Sequence, residues 1–176
     1  IDELESNSLS IQSVPKIFYA KENDRIWYAG GSISFILSQI RHIGIRSKNS
    51  EKYNKRLEVD YATGCCFCIR SDDFVKFGMF DENYEMYCED VDLSLKIRKN
   101  GGQIVYIPNS KVWHHVSMSL GGVSSFSKWR KKQLSFLKLI LEHGNILFFP
   151  ISIVFYVINA LLSFLFIGIL KITKKK

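Results

Sequence analysis

The chain has 176 residues, enough for one domain with a real core plus an appendage. Its hydrophobic content of 47% is ordinary, but residues 146–170 hold no charge at all and are long enough to cross a ~30 Å hydrocarbon core as a helix. The net charge of +7 gathers around that segment, which excludes a nucleic-acid partner as the first reading and favours anionic head groups.

In chain order, IDELESNSLSIQSV is polar, and VPKIFYA (14–20) predicts a strand after a proline-marked turn. KEND (21–24) predicts a turn, and RIWYAGG (25–31) a second strand ending in a glycine pair. Residues 41–57 are basic and aperiodic, which predicts a surface loop. EVDYATGCCFCIR (58–70) predicts a strand interrupted near Thr63-Gly64. Its Cys65, Cys66 and Cys68, with Cys88, match neither a disulfide framework nor a zinc pattern and predict buried, reduced thiols. Ser71 caps a short helix, Asp72 to Phe77, stopped by Gly78.

Residues 85–102 carry conflicting signals. Val91, Leu93, Leu95 and Ile97 alternate as in a strand, while acidic residues at the start, basic ones at the end and Asn100-Gly101 mark a helix. The end signals predict a helix. QIVYIP (103–108) and KVWHHV (111–116) predict strands joined by a Pro-Asn-Ser turn, and 117–125 a loop of small residues. FSKWRKKQLSFLKLILEH (126–143) predicts an amphipathic helix, with Phe126, Trp129, Leu137 and Leu141 on its apolar face. In the uncharged run that follows, Ser152, Asn159 and Ser163 can bond within the helix or to a neighbour. Basic residues flank both of its ends, so charge does not fix its orientation.

Glu89-Asp90 at a helix start is the sharpest acidic feature. The exposed N–H groups and the dipole there favour ionised carboxylates, and an ionised carboxylate in a cleft can take a proton from a hydroxyl. Simple capping is the plain alternative. Asp90-Val-Asp92 has a metal-chelating spacing, but residues two apart on a helix point to different faces. His114 and His115 end an apolar strand, where alternation lets only one face a given site.

Taken in order, PKIFYA, RIWYAGG, EVDYATGCCFCIR and FGMFDENYEMYCEDVDLSLKIRKNGGQIVYIPNSKVWHHVSMSLGG, with the basic aromatic helix, resemble the second half of a family 2 glycosyltransferase. The rhamnosyltransferase-like members are the nearest in pattern, over about residues 14–140. The resemblance implies an α/β fold: the acceptor-side portion of a GT-A domain (1–125), a basic juxtamembrane helix (126–145), a membrane helix (146–170) and a basic tail (171–176). It implies inverting transfer of a sugar from a nucleotide-diphosphate donor to a lipid-linked or polysaccharide acceptor. Asp90 would be the base and Glu89 would position acceptor or base. His114 would complete the coordination of Mg²⁺ or Mn²⁺, and Thr63, Gly64, Trp27, Gly30 and Gly31 would line the substrate pocket. Arg130 matches an arginine of the family, although Lys131 stands where the family has Asn.

The family's own D-x-D and its nucleotide-binding half have no counterpart in residues 1–60, so the chain reads as a fragment inactive in isolation. Trp129-Arg130 with Gln133 after it departs from the Gln-x-x-Arg-Trp of processive synthases. The implied location is the cytoplasmic face of a membrane, in contact with its lipids and without nucleic acid. A non-catalytic membrane-anchored scaffold of the same fold is the competing reading.

Overall fold

The computed structural model describes residues 1–116 and 126–173; the loop expected over 117–125 and the last three lysines lie outside the described residues. The chain forms two compact units. The first comprises Ile1–Ile33, Ile40–Glu82 and Glu89–Val116; the second comprises Ser34–Gln39, Asn83–Cys88 and the C-terminal helices.

The first unit is built on β1 (Ser10–Tyr19), preceded by a short α1 (Asp2–Ser6). All of β1 except Tyr19 is buried, as suits a strand paired on both sides. It runs antiparallel to β2 (Glu22–Tyr28) and to the two-residue β6 (Cys68–Ile69). On its other side it runs parallel to β7 (Gln103–His114), which in turn pairs antiparallel with β5 (Leu57–Glu58). A small hairpin, β3 (Gly31–Ser34) with β4 (Gln39–His42), follows β2. The result is mixed α/β, the class expected.

Proline inside a central strand is unusual because it cannot donate to the ladder. The register breaks there: Pro15 faces Ile107, but Lys16 faces Lys111, so Pro108, Asn109 and Ser110 bulge out. The expected Pro-Asn-Ser turn is therefore a bulge within one continuous strand. Beyond it, Lys16 is fully buried and its Nζ donates to Asn49 Oδ1 (3.1 Å) and Asn54 Oδ1 (2.5 Å). Residues 41–57 are thus more than a surface loop, because they solvate this buried cation and bury Tyr53.

The strand expected over 58–70 is reduced to β5 and β6. Backbone donors between them are satisfied elsewhere: Val59 by Ile104 O, Asp60 by Gly31 O, Ala62 by Ser94 Oγ and Gly64 by Asp90 Oδ2. Cys65 is exposed and Cys66 and Cys68 are half-buried, so of the four free thiols only Cys88 fits the buried expectation.

α2 (Ser71–Lys76) ends at Gly78, whose φ is +85°, as expected. Arg70 rather than Ser71 precedes its first turn, and its guanidinium pairs with Asp73. α3 (Glu89–Lys99) confirms the helix signals over the alternation. Asp92 and Ser94 are themselves buried, and Asp92 pairs with Lys96 at 2.7 Å. The buried face is therefore wider than its apolar residues suggest. Gly101, at φ +82°, and Gly102 return their N–H groups to Arg98 O and Ile97 O and close the helix.

The second unit contains α4 (Phe126–His143) and α5 (Phe149–Thr173). The helix prediction for 126–143 holds, but its buried residues are Ser135, Leu139 and Ile140, while Leu141 and Phe126 are largely exposed. Segment 83–88 explains the shift: Ser135 Oγ donates to Met86 O, and Tyr84 Oη donates to Glu142. α5 extends past the expected 170 to Thr173.

Replacing Lys16 with Met keeps the stem and leaves Asn49 and Asn54 side-chain oxygens without their donor. Urea unfolding should show a loss of about 1–3 kcal/mol; an unchanged midpoint would mean water replaces the ammonium there.

Candidate functional site

Asp90 sits in the first turn of α3, partly buried. Its Oδ2 accepts the Gly64 N–H at 2.6 Å and its Oδ1 accepts the Val91 N–H at 2.8 Å. A side chain at position 64 would begin 3.4 Å from the carboxylate, so glycine lets the 63–66 turn approach closely. Thr63 is buried beside it, and its carbonyl closes the turn with Cys66 N at 3.3 Å. Thr63, Gly64 and Asp90 are thus brought together.

Loss of water at Asp90 outweighs these hydrogen bonds. Burial first, then the neighbouring Glu89 charge, pushes its carboxyl up from 3.8 to about 6, against the lowering effect of the Gly64 and Val91 N–H groups. The exposed N–H groups expected to favour the carboxylate are present, but burial, which the local sequence does not show, outweighs them. At neutral pH the group is still mostly ionised, yet a far better proton acceptor than an ordinary aspartate. Glu89 keeps its Oε2 buried with no hydrogen-bond partner among the described residues.

Ser94, one turn along α3, was not singled out from the sequence. Its Oγ lies 2.8 Å from Asp90 O and 2.9 Å from Gln12 Oε1, and accepts the Ala62 N–H at 3.1 Å. It pins the 60–64 turn to the helix and the helix to β1. A polar residue in an apolar alternation was the available signal.

A second cluster is aromatic. Trp27 meets His114 edge-on at 4.9 Å and His42 at 4.4 Å between ring centroids. Burial and the adjacent His115 lower the His114 pKa, so its ring is neutral at physiological pH and able to donate a lone pair. Among the described residues His114 belongs to no group of three potential metal ligands. Tyr28 links the clusters: its hydroxyl donates to Tyr61 O, and Asp90 is among the charges that help raise its pKa. Gly31 lies under the Tyr61 ring, where a Cβ would meet ring carbons at 2.4–2.8 Å, and Gly30 has φ +116°. Asp60, also missed, accepts the Ile33 N–H at 2.8 Å and pairs with Arg98 at 3.0 Å.

Arg130 belongs to the other unit, on α4. There it lines a cleft of about 250 Å³ with Glu85, Lys131 and Lys138. A larger cavity of about 430 Å³ in the first unit, lined by Pro15, Cys66, Cys68, Asn109 and Ser110 among others, contains no predicted site residue.

Two tests follow from this geometry. The folded chain keeps a proton on Asp90 that the unfolded chain has released between about pH 4 and 6, so stability should fall as pH rises through that window and then level off. Asp90→Asn should remove this slope, as read from urea midpoints across the same range. Gly31→Ala should destabilise by about 1–3 kcal/mol, since the Tyr61 ring must move; a neutral result in thermal unfolding would refute the close approach.

No protein-family model matches the chain. An N-acetylglucosaminyl-diphospho-decaprenol L-rhamnosyltransferase of Mycobacterium tuberculosis is 43% identical over 63 residues, 36% of this chain and 20% of that protein. The rhamnosyltransferase WbbL of Escherichia coli is 34% identical over 81 residues, 46% of this chain and 31% of that protein. A crystal structure of GalNAc-T7 with UDP, GalNAc and Mn²⁺ superimposes with TM-score 0.49 at 16% identity, covering 74% of this chain and 26% of that one. The chain therefore spans about a fifth to a third of the length of the curated relatives it matches. Over those segments it is similar to two rhamnosyltransferases, which are glycosyltransferases.

Proposed function

We propose that the chain is the acceptor-side part of an inverting GT-A sugar transferase of family 2, in which Asp90 removes the proton from the attacking hydroxyl. The observation that carries this reading is the Asp90 carboxylate, held by Gly64 N–H at 2.6 Å and raised to about 6. A base with a pKa just below the working pH combines the correct charge with a strong pull on the proton. The kinship to rhamnosyltransferases supports sugar transfer as the reaction. Rhamnose from a nucleotide-diphosphate donor is the first donor to test, and a diphospho-polyprenol glycan the first acceptor.

Within this scheme Glu89, with one carboxylate oxygen left without a donor among the described residues, orients the acceptor or the base. The 63–64 turn and the Trp27, Gly30 and Gly31 strand end line the sugar pocket, and Arg130 contacts the acceptor side. His114 fits as one neutral imidazole ligand to Mg²⁺ or Mn²⁺, but the described residues around it do not complete a metal site. When bound, the cation would offset the charge growing on the leaving diphosphate. The remaining ligands would come from a nucleotide-binding half outside this chain. Catalysis on the cytoplasmic face suits a nucleotide-sugar donor. Among the described residues one helix, Ile146–Ile169, is long and apolar enough to cross a membrane, and a membrane-held enzyme suits a lipid-linked acceptor.

The test is sugar transfer by the protein extended to include the nucleotide-binding half. Asp90→Asn should lower kcat by about 10²–10⁴-fold, and the wild-type rate should rise with pH to a plateau, with a midpoint near 6. Retained turnover in Asp90→Asn refutes the base. His114→Ala should raise the Mn²⁺ concentration needed for half-maximal rate; an unchanged titration removes His114 from the metal. No transfer with any nucleotide sugar would favour the scaffold reading.

A further inference from the structure

α5 carries no charge before Lys171, but it is not uniformly apolar. Ser152, Tyr156, Asn159 and Ser163 recur at helical spacing and form one stripe. Every member is engaged within the second unit. Ser38 Oγ donates to Ser152 O at 2.6 Å, and Asn159 Nδ2 donates to Leu37 O and Ser38 O at 2.9 and 3.2 Å. Tyr156 Oη donates to Gln133 O at 3.2 Å, and Trp129 Nε1 donates to Ser163 Oγ at 2.9 Å. Phe126 and Trp129 also pack on Phe164. α4 therefore runs antiparallel along α5 and is fastened to its middle.

The opposite side of α5 is bare. Val154, Ile158, Leu161 and Leu165, about half a turn away from the stripe, are 45–60% exposed. α4 adds exposed Leu134 and Leu141 on the same helical face as Arg130.

These contacts decide between two ways of meeting a bilayer. The level of α5 occupied by Tyr156 and Ser163 lies roughly 10–15 Å from the nearer end of the run 146–169, at 1.5 Å per residue. Arg130 and Lys132 flank the α4 contacts at that level, and the Lys131–Glu85 ion pair (3.0 Å) lies there too. An upright crossing would carry all of them into the hydrocarbon, where charged side chains are strongly disfavoured. A helix lying in the interface avoids this. It sinks its bare face among acyl chains and leaves the α4 cations at head-group level, the pattern of a monotopic amphipathic anchor.

We propose that α4 and α5 form a monotopic hairpin lying in the plane of an anionic lipid surface, with the Val154–Ile158–Leu161–Leu165 face in the lipid and Arg130 and Lys132 on its head groups. This rests on the membrane reading above and replaces a spanning helix by an in-plane one. The partner is a bilayer rather than another protein, because a long bare aliphatic face is combined with cations, Arg130 and Lys132, on different sides of the helix that covers the opposite face.

The full chain, tagged at both ends, is expressed in cells whose membranes are isolated as sealed inside-out vesicles. Protease added outside should remove both tags without detergent; a C-terminal tag protected until detergent is added means α5 spans and overturns the proposal. Spin labels at Ile151→Cys, Ile158→Cys and Leu165→Cys, with Cys65, Cys66 and Cys68 replaced by Ser, should report one shallow depth. A depth that increases along the helix means a re-entrant or spanning segment and also overturns it. The double variant Arg130→Glu/Lys132→Glu should bind phosphatidylglycerol-containing vesicles about 10-fold more weakly at low salt; equal binding removes the head-group role. If the wild-type chain stays in solution with such vesicles, the membrane reading itself fails.

Discussion

The parallel pairing of β1 with β7 is the constraint on which the first unit depends. Nine residues of β1, from Ser10 to Tyr19, find partners on a strand that begins at Gln103. A parallel pair needs a long crossover, and nearly every side chain of the candidate site lies in that crossover or at its ends. At one end, α3 must turn directly into β7. Gly102 permits this, since a side chain there would strike Ile11 and Ile97 at 2.6–2.7 Å. At the other end, Tyr19 faces His114, which sets the imidazole against Trp27 of β2. One ladder thus fixes the helix that carries Asp90 and the strand that carries His114.

Asp90 shows how opposing terms are resolved. A helix start and two N–H donors favour the carboxylate; dehydration and the Glu89 charge oppose it, and opposition wins by enough to bring the group to about 6. A solvated aspartate at the same terminus would be a weaker base, and one without these donors would hold its proton to a higher pH. The Gly64 hydrogen bond keeps this carboxylate between those limits, so the glycine matters electrostatically as well as sterically.

What could be read from the sequence followed local physics. The limits of α3 were legible because acidic, basic and Gly signals are local to a helix's ends, and the Gly78 stop was legible for the same reason. The missing strand across 59–67 was not legible. Its donors are taken by Ser94 and Asp90, some thirty residues away, and no local pattern announces that. Lys16 failed for a related reason: a lysine in a strand reads as a surface residue until Asn49 and Asn54 are seen to surround it. Asp90, Gly64, Thr63, Trp27 and His114 were named from the family resemblance, and the fold places the first three together and Trp27 against His114. The roles of Ser94, Asp60 and His42 depend on long-range partners and were not legible.

The apolar run illustrates the same limit from the other side. Absence of charge makes a helix of this length able to enter lipid, but it says nothing about which faces would do so. Four neutral polar residues at helical spacing mark the protein-facing side of α5: the Tyr156 hydroxyl and the Asn159 amide donate to backbone carbonyls, the Ser163 hydroxyl accepts from Trp129, and Ser152 accepts through its main-chain oxygen. Once α4 occupies that side, its charges travel with it. A helix of this composition alone is free to cross a bilayer; one bound along its middle to Trp129 and Gln133, with Arg130, Lys131 and Lys132 between them on α4, is not. In the proposed hairpin, topology is therefore set less by the hydrophobicity of α5 than by the helix it holds.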